Sequence, residues 1–145
     1  MDLLKPNEDE LAEVTGADAA ALRRSAAEGR FGPIVDAARS IVDRTGGAVL
    51  ATLGATGAIL TTTDGSWFAT PPPIVPRSTV GAGDSSLAGY LIAQSRDLSA
   101  PERLRSAVAY GSAAAAPAGT QAPTPDQLDL AGVRITELTG ATRVT

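Results

Sequence analysis

The chain has no cysteine and no histidine among its 145 residues. Disulfides, Cys/His zinc sites and the Ser-His and Cys-His nucleophile systems are therefore excluded from its chemistry. It also lacks a basic block, and its formal net charge is −4, so nucleic acid is not an expected partner. No apolar run approaches the ~20 residues needed to span a bilayer, and the first residues carry no signal-peptide pattern. No membrane association is expected, and the cytoplasm is the expected compartment. Hydrophobic residues make up 43% and charged residues 19%, which is the balance of a folded chain with a real core rather than of a disordered one.

Periodicity and punctuation predict alternating helices and strands. Asn7 and Glu10 have the spacing of a capping box at a helix beginning with Glu8; Leu11 and Val14 form its apolar edge and Gly16 ends it. Asp18 opens a second helix carrying Leu22 and Ala26, stopped by Gly29. Pro33 suits a first helical turn, and Ile34, Ala38, Ile41 and Val42 form a helical stripe up to Gly46-Gly47. The continuous apolar run Ala48 to Leu53 predicts a buried parallel strand. Gly54-Ala55-Thr56-Gly57 turns the chain, Ala58 to Thr62 returns as a strand, and Asp64-Gly65 signals a hairpin into Ser66 to Thr70. Ile59, Leu60, Trp67 and Phe68 read as core. Pro71-Pro72-Pro73 forbids regular structure before a short extended piece at Ile74-Val75. Ser99-Ala100-Pro101-Glu102 is a second capping box, heading a helix through Leu104, Ala107, Val108 and Gly111 to Ala116. A loop from Pro117 to Pro125, a brief helix at Asp126 to Leu130 and a terminal strand from Val133 to Leu138 complete the reading.

The most informative stretch is Ser78-Thr79-Val80-Gly81-Ala82-Gly83-Asp84-Ser85. It places two glycines and a carboxylate before a helix-forming run, Ser86 to Ala93, in which Leu87, Tyr90 and Leu91 share one face. A helix N-terminus offers free N–H groups and partial positive charge, and glycine lets an anion come close. Such a place suits phosphate. A carboxylate beside phosphate is poor for binding alone, because like charges repel. It is useful where it takes the proton of a hydroxyl that attacks the phosphate. Asp84 as a plain N-cap is the simpler alternative.

The run STVGAGDSSLAGYL, Ser78 to Leu91, resembles the C-terminal signature of the PfkB (ribokinase-like) family of sugar kinases, and its Ser-Thr-Val form resembles the hexose-phosphate branch. The resemblance implies a three-layer ribokinase-like (Rossmann-like) α/β fold. It implies transfer of the γ-phosphate of ATP, with Mg²⁺, to a hydroxyl of a fructose phosphate, fructose 1-phosphate being the first choice. Asp84 is then the general base, and the amides of Gly81, Ala82 and Gly83 form an anion hole. Asn7 and Glu10 match the family's Asn-x-x-Glu motif, which holds the metal–phosphate assembly largely through water; the capping box accounts for the same pair without metal. Thr52-Leu53-Gly54-Ala55-Thr56-Gly57 resembles a strand-exit loop that puts Thr52, Gly54 and Gly57 near nucleotide, or else it is an ordinary turn. Ala116-Pro117-Ala118-Gly119-Thr120 resembles the loop beside adenine, with Gly119 passing close to the purine, or else it is an ordinary loop. Arg77 either faces phosphate or is solvated. No G-x-x-x-x-G-K-[ST] loop is present, so this is not a P-loop protein. Ser78 stands where ribokinase-type members carry Asp, and Ser78 with Val80 makes a poor monovalent-cation site.

Members of the family are roughly twice this long. Residues 1–145 correspond to its C-terminal, nucleotide-binding and base-bearing half, and Asp2-Leu3-Leu4-Lys5-Pro6-Asn7 resembles a mid-chain strand exit. The lid, the sugar site and the N-terminal strands are not among these residues. The expectation is a truncated or proteolysed form, or the product of a decayed gene. It is expected to be inactive alone and to self-associate or retain an N-terminal fragment.

Overall fold

The computed structural model describes residues 3–53, 56–70, 82–115, 130 and 132–138, with 82–85 and 112–115 as backbone only. The elements follow in the order β1 (Leu3–Leu4), α1 (Glu8–Thr15), α2 (Ala19–Ala27), α3 (Gly32–Thr45), β2 (Ala48–Thr52), β3 (Ala58–Thr62), β4 (Gly65–Thr70), α4 (Ala82–Ser95), α5 (Ala100–Ala115) and β5 (Arg134–Leu138). The chain forms two compact units, Met1–Phe68 with Thr136–Thr145 and Ala69–Ile135. One mixed sheet runs in the order β1-β2-β3-β4-β5. The α/β class expected from the sequence is the observed one.

The helices of the first unit start and stop where local chemistry directs. At α1, Glu10 N donates to Asn7 Oδ1 at 2.8 Å and Asn7 N donates to Glu10 Oε1 at 3.0 Å, the reciprocal capping box. Gly16 ends this helix with a φ of 78°, a left-handed conformation that glycine adopts without a Cβ penalty. Asp18 Oδ1 accepts from Ala20 N and caps α2. Pro33 stands in the first turn of α3, where its missing N–H leaves no bond unmade.

The three helices bury their stripes on one face of the sheet. Leu11, Leu22, Ala26, Ile34, Ala38, Ile41 and Val42 pack with Val49, Ala51 and Ile59. Each large aliphatic side chain removed from water contributes about 1.5–3 kcal/mol. Phe31 and Phe68 stack within this cluster, ring centroids 4.3 Å apart. Leu50 pairs with Leu60 across β2 and β3, and both are fully buried. Alternation sends them to the opposite face from Val49 and Ala51. A strand buried on both faces explains why Ala48 to Leu53 reads as a continuous apolar run.

β2 runs parallel to β1, as its apolar run predicts, and antiparallel to β3, which returns after the turn with Val49 opposite Thr61 and Thr52 opposite Ala58. The connection Leu53 to Gly57 is too short for the crossover a parallel neighbour needs. Two expectations are corrected. Val14 is 52% exposed rather than part of the apolar edge of α1, whose buried residues are Leu11 and Ala12. Trp67 is half-buried, while Ile59, Leu60 and Phe68 are core as expected.

A polar brace joins α3 to the β3–β4 hairpin. Arg39 Nη1 donates to Thr62 O at 2.6 Å and Nη2 to Ser66 Oγ at 3.2 Å. Ser66 Oγ and Thr61 Oγ1 lie 3.0 Å apart, both hydroxyls buried and each satisfied by the other.

In the second unit α4 and α5 pack as a pair. Gly89, Tyr90 and Ala93 are buried on α4, and Leu104, Ala107, Val108 and Ala109 on α5. Of the expected inward face Leu87-Tyr90-Leu91, Tyr90 is buried as expected, but Leu91 is 47% exposed. Gly89 meets α5, where its missing side chain lets two backbones come close. α5 begins at Ala100 as its capping pattern predicts, and Ser99 O accepts from Arg103 N at 2.9 Å. Arg105 Nη1 donates to Leu130 O at 3.1 Å and Val133 O at 2.8 Å, tying α5 to the segment ahead of β5. The proline run, the Ile74-Val75 piece and the brief helix expected at Asp126 to Leu130 lie outside the described residues, apart from Leu130 itself, which stands in a bend.

Candidate functional site

The ends of β1 and β2 come together and carry two of the predicted site segments. Thr52 N donates to Pro6 O at 2.8 Å, and Thr52 Oγ1 lies 3.4 Å from the same carbonyl. A single parallel bridge pairs Asn7 with Thr52. This brings the Asn7–Glu10 pair beside the start of the loop after β2. That loop closes on itself through Leu53 N to Gly57 O at 2.9 Å and Thr56 N to Leu53 O at 3.2 Å. Gly57 has a φ of 133°, a backbone state that side chains other than glycine rarely adopt. Sequence spacing did not reveal the role of Pro6, whose carbonyl joins two segments 46 residues apart.

The capping box decides which atoms of the pair remain available. Asn7 Oδ1 and Glu10 Oε1 are occupied by backbone N–H groups. Among the described residues, Glu10 Oε2 and Asn7 Nδ2 have no partner, and both side chains are exposed. One carboxylate oxygen and one amide donor suit a hydrated Mg²⁺–phosphate group, since Mg²⁺ keeps several waters. They do not make a metal cage. Among the described residues no group of three or more acidic, His or Cys side chains is arranged to hold a metal ion.

The second unit holds the other predicted segment. α4 begins at Ala82, so Ala82, Gly83 and Asp84 are its first three residues. Asp84 is therefore inside the first turn and not the N-cap residue of the simpler alternative. The amides of the first turn have no partner within the helix and point along its axis, and a carboxylate there is favoured by the helix dipole. Gly54, Gly81, Gly119 and Arg77 lie outside the described residues. No helix among the described residues is long and apolar enough to cross a membrane.

The described residues thus form a mixed α/β sheet and, in the second unit, a helix whose first turn carries Gly83-Asp84. Comparison with known proteins is specific. Residues 1–127 match the pfkB family of carbohydrate kinases, and the chain belongs to that family. It is similar to the 1-phosphofructokinase of Haloferax volcanii, with 38% identity over 119 residues, 82% of this chain and 36% of that protein. The 1-phosphofructokinase of Rhodobacter capsulatus is 32% identical over 127 residues, 88% of this chain and 37% of that protein. Among solved structures, phosphofructokinase-2 from Escherichia coli in complex with substrates and products superposes with a TM-score of 0.75 and 30% identity, over 88% of this chain and 38% of that one. The chain thus spans little more than a third of the length of these relatives.

Proposed function

We propose that this chain is the nucleotide-binding, base-bearing half of a sugar-phosphate kinase that converts fructose 1-phosphate to fructose 1,6-bisphosphate with ATP. The observation that carries the proposal is the position of Asp84 in the first turn of α4, directly after Gly83, in a chain of the pfkB family. The Asp84 carboxylate takes the proton of the acceptor hydroxyl as its oxygen attacks the γ-phosphorus. The bond from that phosphorus to the bridging oxygen breaks, and ADP leaves. The amides of Gly81, Ala82 and Gly83 stabilise the charge on the transferred phosphoryl group. Glu10 and Asn7 would be the residues that help hold a hydrated Mg²⁺–phosphate group, and the ion would supply charge neutralisation for the nucleotide phosphates. Thr52, Gly54, Gly57 and Gly119 line the nucleotide. Similarity to 1-phosphofructokinases supports the choice of substrate, and an Escherichia coli ATP-dependent 6-phosphofructokinase isozyme at 32% identity makes fructose 6-phosphate the runner-up.

These residues span little more than a third of the relatives' length, and on that ground we assign the isolated chain nucleotide binding without turnover. The test is ATP consumption stimulated by fructose 1-phosphate, measured for this chain and for the chain joined to the upstream portion of a 1-phosphofructokinase relative. Stimulation in the joined form and none in the chain alone is expected. A joined form that is folded, binds ATP and consumes it without regard to any fructose phosphate contradicts the proposal.

A further inference from the structure

We propose that Ser106 is a positioning residue for Asp84, acting through Gly89 as a latch that sets where α4 lies along α5. The inference rests on the kinase reading given above. Ser106 Oγ donates to Gly89 O at 2.8 Å, and both residues are buried. A Cβ built at Gly89 stands 2.6 Å from Ser106 O and 2.7 Å from Tyr110 Cδ2, so the backbones meet at a distance that only glycine permits. The bond fixes the axial register and the missing side chain fixes the separation.

The other end of α4 is also held. Arg96 N donates to Ala93 O at 3.2 Å, Asp97 N to Gln94 O at 3.0 Å and Leu98 N to Ala93 O at 3.1 Å. Arg103 Nε, from α5, donates to Leu98 O at 2.8 Å. Asp97 in this link carries a φ of 57°, a left-handed conformation unusual outside glycine. Asp84 stands five residues before Gly89, about 7.5 Å along the axis at 1.5 Å per residue. Any slide of α4 is carried to Asp84 and to the first-turn amides without loss. Gly89 O is a mid-helix carbonyl with its own place in the α4 ladder, so the Ser106 bond adds nothing that the helix needs for its own hydrogen bonding. The bond satisfies the buried Ser106 hydroxyl and in doing so ties α4 to α5 at this level.

The experiment compares Ser106→Ala with Val108→Ala in the joined form described above. Val108 is buried on α5 and takes no part in the Ser106–Gly89 hydrogen bond. Ser106→Ala is expected to lower kcat on the order of ten-fold or more while KM for ATP changes less than about two-fold, because a small misplacement of a reacting group costs up to about 10²-fold. Val108→Ala is expected to lower Tm at least as much and leave kcat within about two-fold. Ser106→Ala with parental kcat, or equal loss of kcat in both variants, overturns the latch.

If the joined parent shows no sugar-stimulated turnover, the kinase reading fails, and the latch is judged by amide hydrogen exchange in this chain. Ser106→Ala then speeds exchange at Ser86 to Tyr90 more than at Leu104 to Val108. Equal acceleration in both helices, or none, overturns it.

Discussion

Asn7 and Thr52 face each other across a single parallel bridge, held by the 2.8 Å bond from Thr52 N to Pro6 O. The bridge makes one local site of two sequence motifs that are far apart in the chain. It also places a helix cap in the position of a proposed ligand set, so capping and phosphate handling can be separated by substitution. Asn7→Ala removes the acceptor of Glu10 N and should cost about 1 kcal/mol in urea denaturation, the usual cost of losing a cap. Glu10→Gln keeps an oxygen for Asn7 N and should leave stability within about 0.5 kcal/mol, because Gln also serves in a capping box. In the active joined form the same Glu10→Gln should raise the Mg²⁺ concentration needed for half-maximal rate. Unchanged Mg²⁺ dependence leaves the pair as a cap only.

Gly89→Ala sets two effects of opposite sign against each other. Helix propensity favours Ala in mid-helix by about 1 kcal/mol. The new methyl meets Ser106 O at 2.6 Å, and this is backbone, which cannot turn aside. Overpacking typically costs ~1–3 kcal/mol. Thermal unfolding should therefore show a net loss on the order of 0–2 kcal/mol. A gain in stability contradicts the close packing of α4 on α5.

The buried hydroxyl pair gives a non-additive prediction. Ser66→Ala leaves the Thr61 hydroxyl without its partner in the core, at a cost of about 1–3 kcal/mol, and also removes one contact of Arg39. Adding Thr61→Val removes the stranded hydroxyl while keeping the shape. Denaturant unfolding should find the double variant more stable than Ser66→Ala alone. Equal or lower stability of the double variant contradicts the pairing.

Local chemistry was legible in the sequence, and distant contacts were not. The caps at Asn7 and Asp18 and the stops at Gly16 and Gly46 depend on residues a few positions apart, so spacing reveals them. The face of α4 was misread because periodicity counts bulky residues. Leu91 points outward while Gly89 meets the neighbouring helix, where closeness rather than bulk decides packing. The start of α4 was placed too late, since Gly83 and Asp84 read as turn residues; an acidic residue in a first turn is in fact favoured by the dipole. The parallel pairing of β2 with β1 was legible, because a strand buried on both faces reads as a continuous apolar run. The Pro6–Thr52 bond joins segments that no pattern links.

β1 is a two-residue strand at the end of the sheet among the described strands, and Leu4 on it is 40% exposed. A bare sheet edge invites pairing with another chain. Sedimentation velocity should find this chain associated with itself or with a retained fragment, and Leu4→Lys should shift it toward monomer. A stable, compact parental monomer, with no second fragment by mass spectrometry, contradicts this.

The most direct test of the proposed chemistry is Asp84→Asn in the joined form, read by turnover with fructose 1-phosphate and by ATP affinity. The substitution nearly preserves shape and removes the base. ATP affinity is expected within about three-fold of the parent, with turnover lower by about 10²- to 10⁴-fold. Turnover within about three-fold of the parent, with ATP still bound, would remove Asp84 from the reaction.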